Sequence, residues 1–276
     1  MRLKSFAKIN LTLRVLRKLK NKMHDIETNT ALVDLYDEIN LKKNKRDVII
    51  FNGKFKSNVN LKKNTIIDTL FLLRKLKIIK SCYKITVKKN IPVYSGLGGG
   101  TSNSVSIVKY FLKNKIKEKF IRILEQKIGS DFRLFLNNSS FQKNLGNVLK
   151  SKNNFLSHIL IIFPNINCKT KNIYKMVKNF SPPSGKIYEK KYRKEKFMEN
   201  VKKDRNDLQK LVVKKYSKIS ILLRSINKLK GCNFSRMTGS GSVCYGFYKS
   251  KKTAKFAMIK LKRKYPKYWC VITKTI

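Results

Sequence analysis

Apolar and polar residues alternate through "KSFAKINLTLRVL", residues 4–16, with the two-residue period of an opening strand. The alternation in "IETNTALVDLYDEINL" predicts one strand, or two joined by a turn, and "DVIIFNG" predicts a further short one. The period then lengthens. "NTIIDTLFLLRKLKI" has the spacing of a helix, with Asn64 placed to cap it. Residues 82–93 read as a strand ending near Pro92. In the helix that follows, Val105, Val108, Phe111 and Leu112 share a face, and Ser102 or Asn103 is the expected cap. "IKEKFIRILEQKIGSD" is a second helix, stopped by Gly129. Later come an apolar strand "HILIIFPN", one or two helices from 206 to 231, the strand "VCYGFYKS", the helix "KTAKFAMIKLKRKY" and a final strand "YWCVITKTI". Mixed strands and helices without an internal repeat predict an α+β protein. The polar stretch "KSKNNFLS" marks the best boundary, dividing the chain into domains at 1–155 and 156–276, and the basic, proline-containing "SPPSGKIYEKKYRKEKF" reads as exposed.

Between the strand at 82–93 and its following helix lies "SGLGGGTSN", residues 95–103, with four glycines in five positions. Glycine is costly to order, so a cluster points to a tight turn or to backbone that must closely approach something else. A strand-to-helix junction offers unpaired N–H groups and the positive end of the helix dipole, which is a phosphate site in outline. It is not a Walker loop, because no Gly-Lys pair followed by Ser or Thr closes it. It is not the dinucleotide fingerprint either, because Thr101 stands where the third glycine belongs. A glycine turn without a ligand is the plain alternative.

Composition narrows the setting. A chain of 276 residues, 42% hydrophobic, can build one large core or two modest ones. No apolar run is long enough to cross a bilayer, and the first residues lack the apolar core and small-residue cleavage site of a secretory signal. Five scattered cysteines without a CxxC pair read as free thiols of a reducing cytoplasm, not as a disulfide frame or metal site. Lys and Arg number 65 against 15 acidic residues, a formal charge of +50. The lysines are spread along the whole chain amid abundant Asn and Ile, as AT-rich coding produces, which argues against a nucleic-acid partner. The charge still concentrates anionic substrates.

Other features are individually weak: "AKIN" at 7–10, "IGSDFRLFL" around Asp131, "NDLQ" at 206–209, and a second glycine cluster in "MTGSGSVCYGF". Together with "IPVYSGLGGGTSNSV", and in this order, they resemble the GHMP kinase superfamily of small-molecule kinases over nearly the whole chain. The GLGGG loop with an AKIN start is similar to the branch that acts on a cytidine-diphospho sugar alcohol. The resemblance implies a two-domain α+β fold with the active-site cleft between the domains, and ATP and Mg²⁺ as cofactors. It also implies phosphorylation of the 2-hydroxyl of a cytidine-diphospho-methylerythritol, a step of non-mevalonate isoprenoid precursor synthesis.

The same resemblance assigns roles. Pro92, Val93, Tyr94, Ser95, Gly96, Leu97, Gly98, Gly99, Gly100, Thr101 and Ser102 would bind ATP, with bare backbone wrapping the phosphates and the two hydroxyls reaching phosphate or magnesium. Asp131 would orient or deprotonate the attacking hydroxyl, with Lys8 beside it as the active-site lysine. Asn10 and His24 would hold the cytidine end, with Met23 and Tyr174 covering the two faces of the base and Thr170 nearby. No residue is assigned as a direct metal ligand. Two positions depart from the family pattern: Met23 replaces a tyrosine, and Arg133 replaces a proline, where it either changes loop stiffness or points to solvent. Another GHMP kinase, of homoserine or mevalonate type, would explain the loop but not AKIN with His24. A basic RNA-binding protein on an inactive kinase scaffold would explain neither Lys8 nor Asp131. A monomer or a homodimer is expected, with no membrane association.

Overall fold

Two long strands, β1 (Arg2–Lys18) and β2 (His24–Asn44), pair with each other in the computed structural model, which describes all 276 residues. β2 runs for 21 residues without the turn that the sequence left open. By contacts the chain forms two compact units that interleave in sequence: Met1–Lys8, Leu35–Val93 and Gly98–Leu136 in the first, and Ile9–Asp34, Tyr94–Leu97 and Asn137–Ile276 in the second.

In the first unit, β3 (Val48–Asn52) lies parallel to β4 (Cys82–Lys88), which runs antiparallel to residues 38–44 of β2. A parallel pair needs a crossover, and α1 (Thr65–Lys75) supplies it. The Asn64 carboxamide accepts from the N–H groups of Ile66 and Ile67, both at 3.2 Å, so the expected cap is present. Ile66, Leu70 and Leu73 are its buried face. α1 packs on α2 (Gly99–Phe111) and α3 (Glu118–Ile128), which bury Val105, Ile107 and Val108, and Ile121 and Leu124. Gly129 ends α3 in a conformation with φ +140° that favours glycine.

In the second unit, β5 (Ser139–Asn144) pairs with residues 28–31 of β2 and forms a hairpin with β6 (Asn147–Lys150). A separate antiparallel sheet has the order β10 (Trp269–Lys274), β7 (His158–Phe163), β9 (Cys244–Tyr248), β8 (Cys232–Met237). Helices α4 (Thr170–Tyr174), α5 (Lys194–Lys203), α6 (Asp207–Lys215), α7 (Ser217–Asn227) and α8 (Lys251–Lys264) complete it. Its core joins Leu13, Val15 and Ile26 to Leu160 and Ile162, Leu208 and Val212, Leu222, and Leu261. No helix is long and apolar enough to cross a membrane.

The "SPPSGKIYEKKYRKEKF" stretch is not exposed throughout. Tyr188 and Phe197 are buried, and the Tyr188 hydroxyl donates to Asp204 at 2.8 Å. The polar residues at 150–157 are also partly interior. The Asn153 carboxamide donates to the Lys190 carbonyl and accepts from the Tyr192 N–H, both at 2.8 Å.

Candidate active site

The first unit contributes a helix start and an ion pair. α2 begins at Gly99, earlier than its apolar face predicts. Its N-cap is Gly98, left-handed at φ +70°, and no side chain caps it. The expectation that Ser102 or Asn103 caps this helix is therefore corrected: both lie inside it. The Ser102 hydroxyl donates to the Phe6 carbonyl at 2.6 Å and accepts from Ser5 at 2.8 Å, so it is committed to β1. The first helical bond runs from the Ser102 N–H to the Gly98 carbonyl, leaving the N–H groups of Gly99, Gly100 and Thr101 available at the positive end of the helix.

The glycines differ in what requires them. A β-carbon at Gly98 would lie 2.6 Å from the Phe135 ring, and one at Gly99 2.9 Å from Ile91. At Gly100 the nearest atom, the Thr65 hydroxyl, would be 3.5 Å away, an ordinary contact. The protein's own packing therefore explains the glycines at 98 and 99 but not the one at 100.

Asp131 follows α3 and opens a 3₁₀ turn, Phe132–Phe135. Its carboxylate lies 3.3 Å from the Lys8 ammonium, and its side chain is 35% exposed whereas that of Lys8 is 4% exposed. The two residues assigned to the chemistry thus meet, one inside and one reachable. Lys8 also borders the glycine loop, 3.4 Å from where a β-carbon of Gly98 would be. Arg133 does not point to solvent. Its guanidinium binds both oxygens of Glu125 at 2.8 and 2.9 Å and both of Glu118 at 2.6 and 2.9 Å.

The second unit holds the first half of the glycine loop against the second glycine cluster. A β-carbon at Gly96 would come within 2.1 Å of the Thr238 carbonyl oxygen, so only glycine fits. The Val243 N–H donates to the Ser95 carbonyl at 3.1 Å, and the Cys168 N–H to that of Tyr94 at 3.2 Å. "NDLQ" is the clamp for this cluster. The Asn206 carboxamide donates to the carbonyls of Met237 and Gly239, at 2.8 and 2.9 Å, and Gln209 accepts from the Met237 N–H at 2.8 Å. Thr170 joins it through its hydroxyl, 2.9 Å from that of Ser240. Asn10 donates from its side chain to Thr28 at 2.8 Å and from its backbone to Thr238 at 2.9 Å.

His24 and Tyr174 come together, ring centroids 5.2 Å apart and planes 34° apart. A third ring, Phe180, lies 6.4 Å from His24 and is exposed. Sequence reading missed it; an aromatic residue directly before Ser-Pro-Pro was the available signal. Its segment is held in place. The Ser181 N–H donates to the Val15 carbonyl at 2.8 Å, Arg14 donates to the Pro182 carbonyl at 3.1 Å, and the Ser184 N–H is shared by both Glu27 oxygens at 3.1 Å. Met23 is exposed, and its backbone N–H donates to Asn21 at 3.0 Å. Partial burial, and secondarily the charge of Lys18, hold the His24 imidazole below its ordinary 6.5.

Two family models match this chain: the GHMP kinases N terminal domain over residues 64–133 and the GHMP kinases C terminal over residues 193–267. The chain is 37% identical to a 4-diphosphocytidyl-2-C-methyl-D-erythritol kinase of Pelagibacter ubique (strain HTCC1062), covering 100% of this chain and 99% of the relative. It is 31% identical to the kinase of the same name from Anaplasma phagocytophilum (strain HZ), covering 98% and 93%. Among solved structures, a 4-(cytidine 5'-diphospho)-2C-methyl-D-erythritol kinase superposes with a TM-score of 0.77 at 20% identity over 100% of both chains. A homoserine kinase from Cytophaga hutchinsonii ATCC 33406 gives 0.69 at 16% identity, over 100% of this chain and 94% of that one. At such identities the structural likeness establishes the fold alone.

Proposed function

The chain belongs to the 4-diphosphocytidyl-2-C-methyl-D-erythritol kinase family of GHMP kinases, and from that premise we propose that it transfers the γ-phosphoryl group of ATP to the 2-hydroxyl of 4-diphosphocytidyl-2-C-methyl-D-erythritol. The observation that carries this reading is the Lys8–Asp131 pair, 3.3 Å apart with the carboxylate partly exposed, in the same unit as the uncapped start of α2.

In this reading the N–H groups of Gly99, Gly100 and Thr101 hold ATP phosphates, with residues 92–98 completing the nucleotide site. The substrate hydroxyl donates to Asp131. As its oxygen bonds to the γ-phosphorus and the bond to the ADP oxygen breaks, the proton passes to the carboxylate. Lys8 stabilises the negative charge of that carboxylate and of the transferring group. Phosphoryl transfer depends mainly on positioning and charge neutralisation, which these groups supply. Magnesium takes most of its ligands from phosphates and one or two from protein oxygens. Asp131 and the half-buried Thr101 suit that limited part, whereas Ser102 is committed to Phe6 and Ser5. When bound, the ion neutralises phosphate charge.

His24, Tyr174 and Phe180 suit a cytosine ring: two aromatic faces, and an imidazole that its surroundings favour as neutral, with one donor and one acceptor nitrogen. Phe180 then supplies the aromatic face that Met23 lacks. In the division at 155–156, the N-terminal part carries the loop and Asp131, and the C-terminal part carries Tyr174 and the second glycine cluster. We place the enzyme in the cytoplasm.

The test is ADP release by purified protein with Mg-ATP and a panel of alcohols. Turnover with the cytidine-diphospho substrate is expected, and turnover with homoserine or mevalonate alone would sink the assignment. Base–aromatic stacking is worth about 1–3 kcal/mol per base. Tyr174→Ala should therefore raise KM for the cytidine substrate roughly 5- to 150-fold while leaving that for ATP nearly unchanged. Equal changes for the two would remove Tyr174 from the base pocket.

A further inference from the structure

We propose that Arg133 is a positioning residue: it ties the turn carrying Asp131 to α3 and so sets the direction in which the carboxylate points. The inference rests on Asp131 acting in the kinase reaction.

Asp131 has one ion-pair partner for its carboxylate, Lys8. It sits at the start of the 3₁₀ turn without a side-chain cap, and its carboxylate is bound by Lys8 on one side and open on the other. The turn Phe132–Phe135 buries Phe132, Leu134 and Phe135. It is closed by the N–H groups of Phe132, Leu134 and Leu136 on the carbonyls of Gly129, Asp131 and Arg133, each at 3.1 Å, which fixes the backbone but leaves the carboxylate's direction to the contacts around it. Its far end is secured by Lys109 of α2, whose ammonium donates to the carbonyls of Phe135 at 2.8 Å and Leu136 at 3.2 Å. Phe135 itself packs against Gly98.

The near end is secured by Arg133. Its side chain is only 11% exposed and spans two glutamates one helical stretch apart on α3, Glu118 and Glu125. Nη1 and Nη2 donate as a fork to the two Glu118 oxygens at 2.9 and 2.6 Å, and the single Nε–H is shared between the two Glu125 oxygens at 2.9 and 2.8 Å. Glu125 is itself mostly buried, at 16% exposure, so the Nε–H contact is shielded from solvent. Burial raises the Glu125 carboxyl above its ordinary value while Arg133 opposes the rise, and Arg133 holds the Glu118 carboxyl down to about 2. Proline would stiffen this turn through its own ring. Arginine achieves stiffness through partners, which is why it departs from the expected residue without loosening the site. A lysine could not do the same, since a single ammonium cannot grip two carboxylates in a plane.

The experiment compares Arg133→Ala, Arg133→Lys and Glu125→Gln in the parent and in an Asp131→Asn background. Steady-state kinetics with Mg-ATP and the cytidine-diphospho substrate, and thermal unfolding, are read for each. Misplacing a catalytic group by about 1 Å costs up to roughly 10²-fold. Arg133→Ala should lower kcat roughly 10- to 100-fold with both KM values nearly unchanged, Arg133→Lys should fall between, and Glu125→Gln should follow Arg133→Ala in direction. In the Asp131→Asn background the same changes should cost nothing further in kcat, because the group they aim is gone. Should Arg133→Ala fail to fold, Glu125→Gln, which keeps the side chain's shape, decides alone. Unchanged kcat, or losses that multiply fully with Asp131→Asn, would overturn the positioning role. A parent protein that turns over no cytidine-diphospho substrate would instead overturn the kinase reading, and this inference with it.

Discussion

Lys8 with Asp131 and Lys89 with Asp37 are the same chemical pair in the same unit, each with its lysine side chain 4% exposed, yet the surroundings of the two carboxylates differ. Asp37 is wholly buried, in contact with the ammonium of a Lys89 that is only 4% exposed. Its other oxygen accepts from the N–H groups of Asn90 and Ile91, at 2.8 and 2.9 Å. Asp131 accepts no such backbone bonds and stands 35% exposed. One carboxylate has its acceptor positions filled by the protein. The other keeps some for an incoming hydroxyl. A closed pair fixes backbone, here the residues leading into the glycine loop, while an open pair can take part in chemistry. Identity and spacing of the residues do not distinguish the two roles; the count of filled acceptor positions does.

The largest expected effect would break the closed pair. Lys89→Met leaves Asp37 charged, buried and unpaired, which typically costs 3–5 kcal/mol, about the range expected here. Chemical denaturation measures it. A loss below about 1 kcal/mol, the scale of a surface pair, would mean that water reaches Asp37 and that the contrast is false. Asp131→Asn should behave in the opposite way. Stability should stay near that of the parent while kcat falls roughly 10²-fold or more, the scale of acid–base groups. Activity within a few-fold of the parent would mean that the open pair is idle. Gly100→Ala extends the contrast to the loop. Because the protein leaves room for a methyl group there, unfolding should be unaffected, whereas KM for ATP should rise about tenfold through a lost 1.4 kcal/mol of phosphate contact. An unchanged KM would show that the phosphates do not approach this backbone.

Much of this was legible in the sequence where a local rule decided the outcome. Asn64 capped its helix, Gly129 ended one, and alternation located the strand β1, because capping, chain reversal and period are properties of a few consecutive residues; that residues 7–13 of β1 are buried on both faces was not legible from that period. The pairing of Lys8 with Asp131 became legible only through the ordered set of motifs, since nothing local brings residue 8 to residue 131. The cap of α2 was misread because Ser102 and Asn103 have the right chemistry for a cap, and only the left-handed Gly98 shows that the helix starts before them. The hairpin β5–β6, β8 and the short α4 and α5 gave weak signals, being brief and polar and stabilised by what packs on them. Phe180 and the grip of Arg133 on α3 depend on partners distant in sequence or in geometry, which no periodicity reports.

The interleaving of the two units has a consequence for synthesis on the ribosome. Every segment of the first unit precedes residue 137, so it can close while the rest is still being translated. Leu13, Val15 and Ile26 belong to the other unit, and the side chains that cover them, from Leu160 to Leu261, emerge last. At ordinary elongation speeds these apolar residues near the start of the chain stay uncovered for on the order of ten seconds. Over that interval the nascent chain carries Leu13, Val15 and Ile26 without the side chains that cover them in the folded protein.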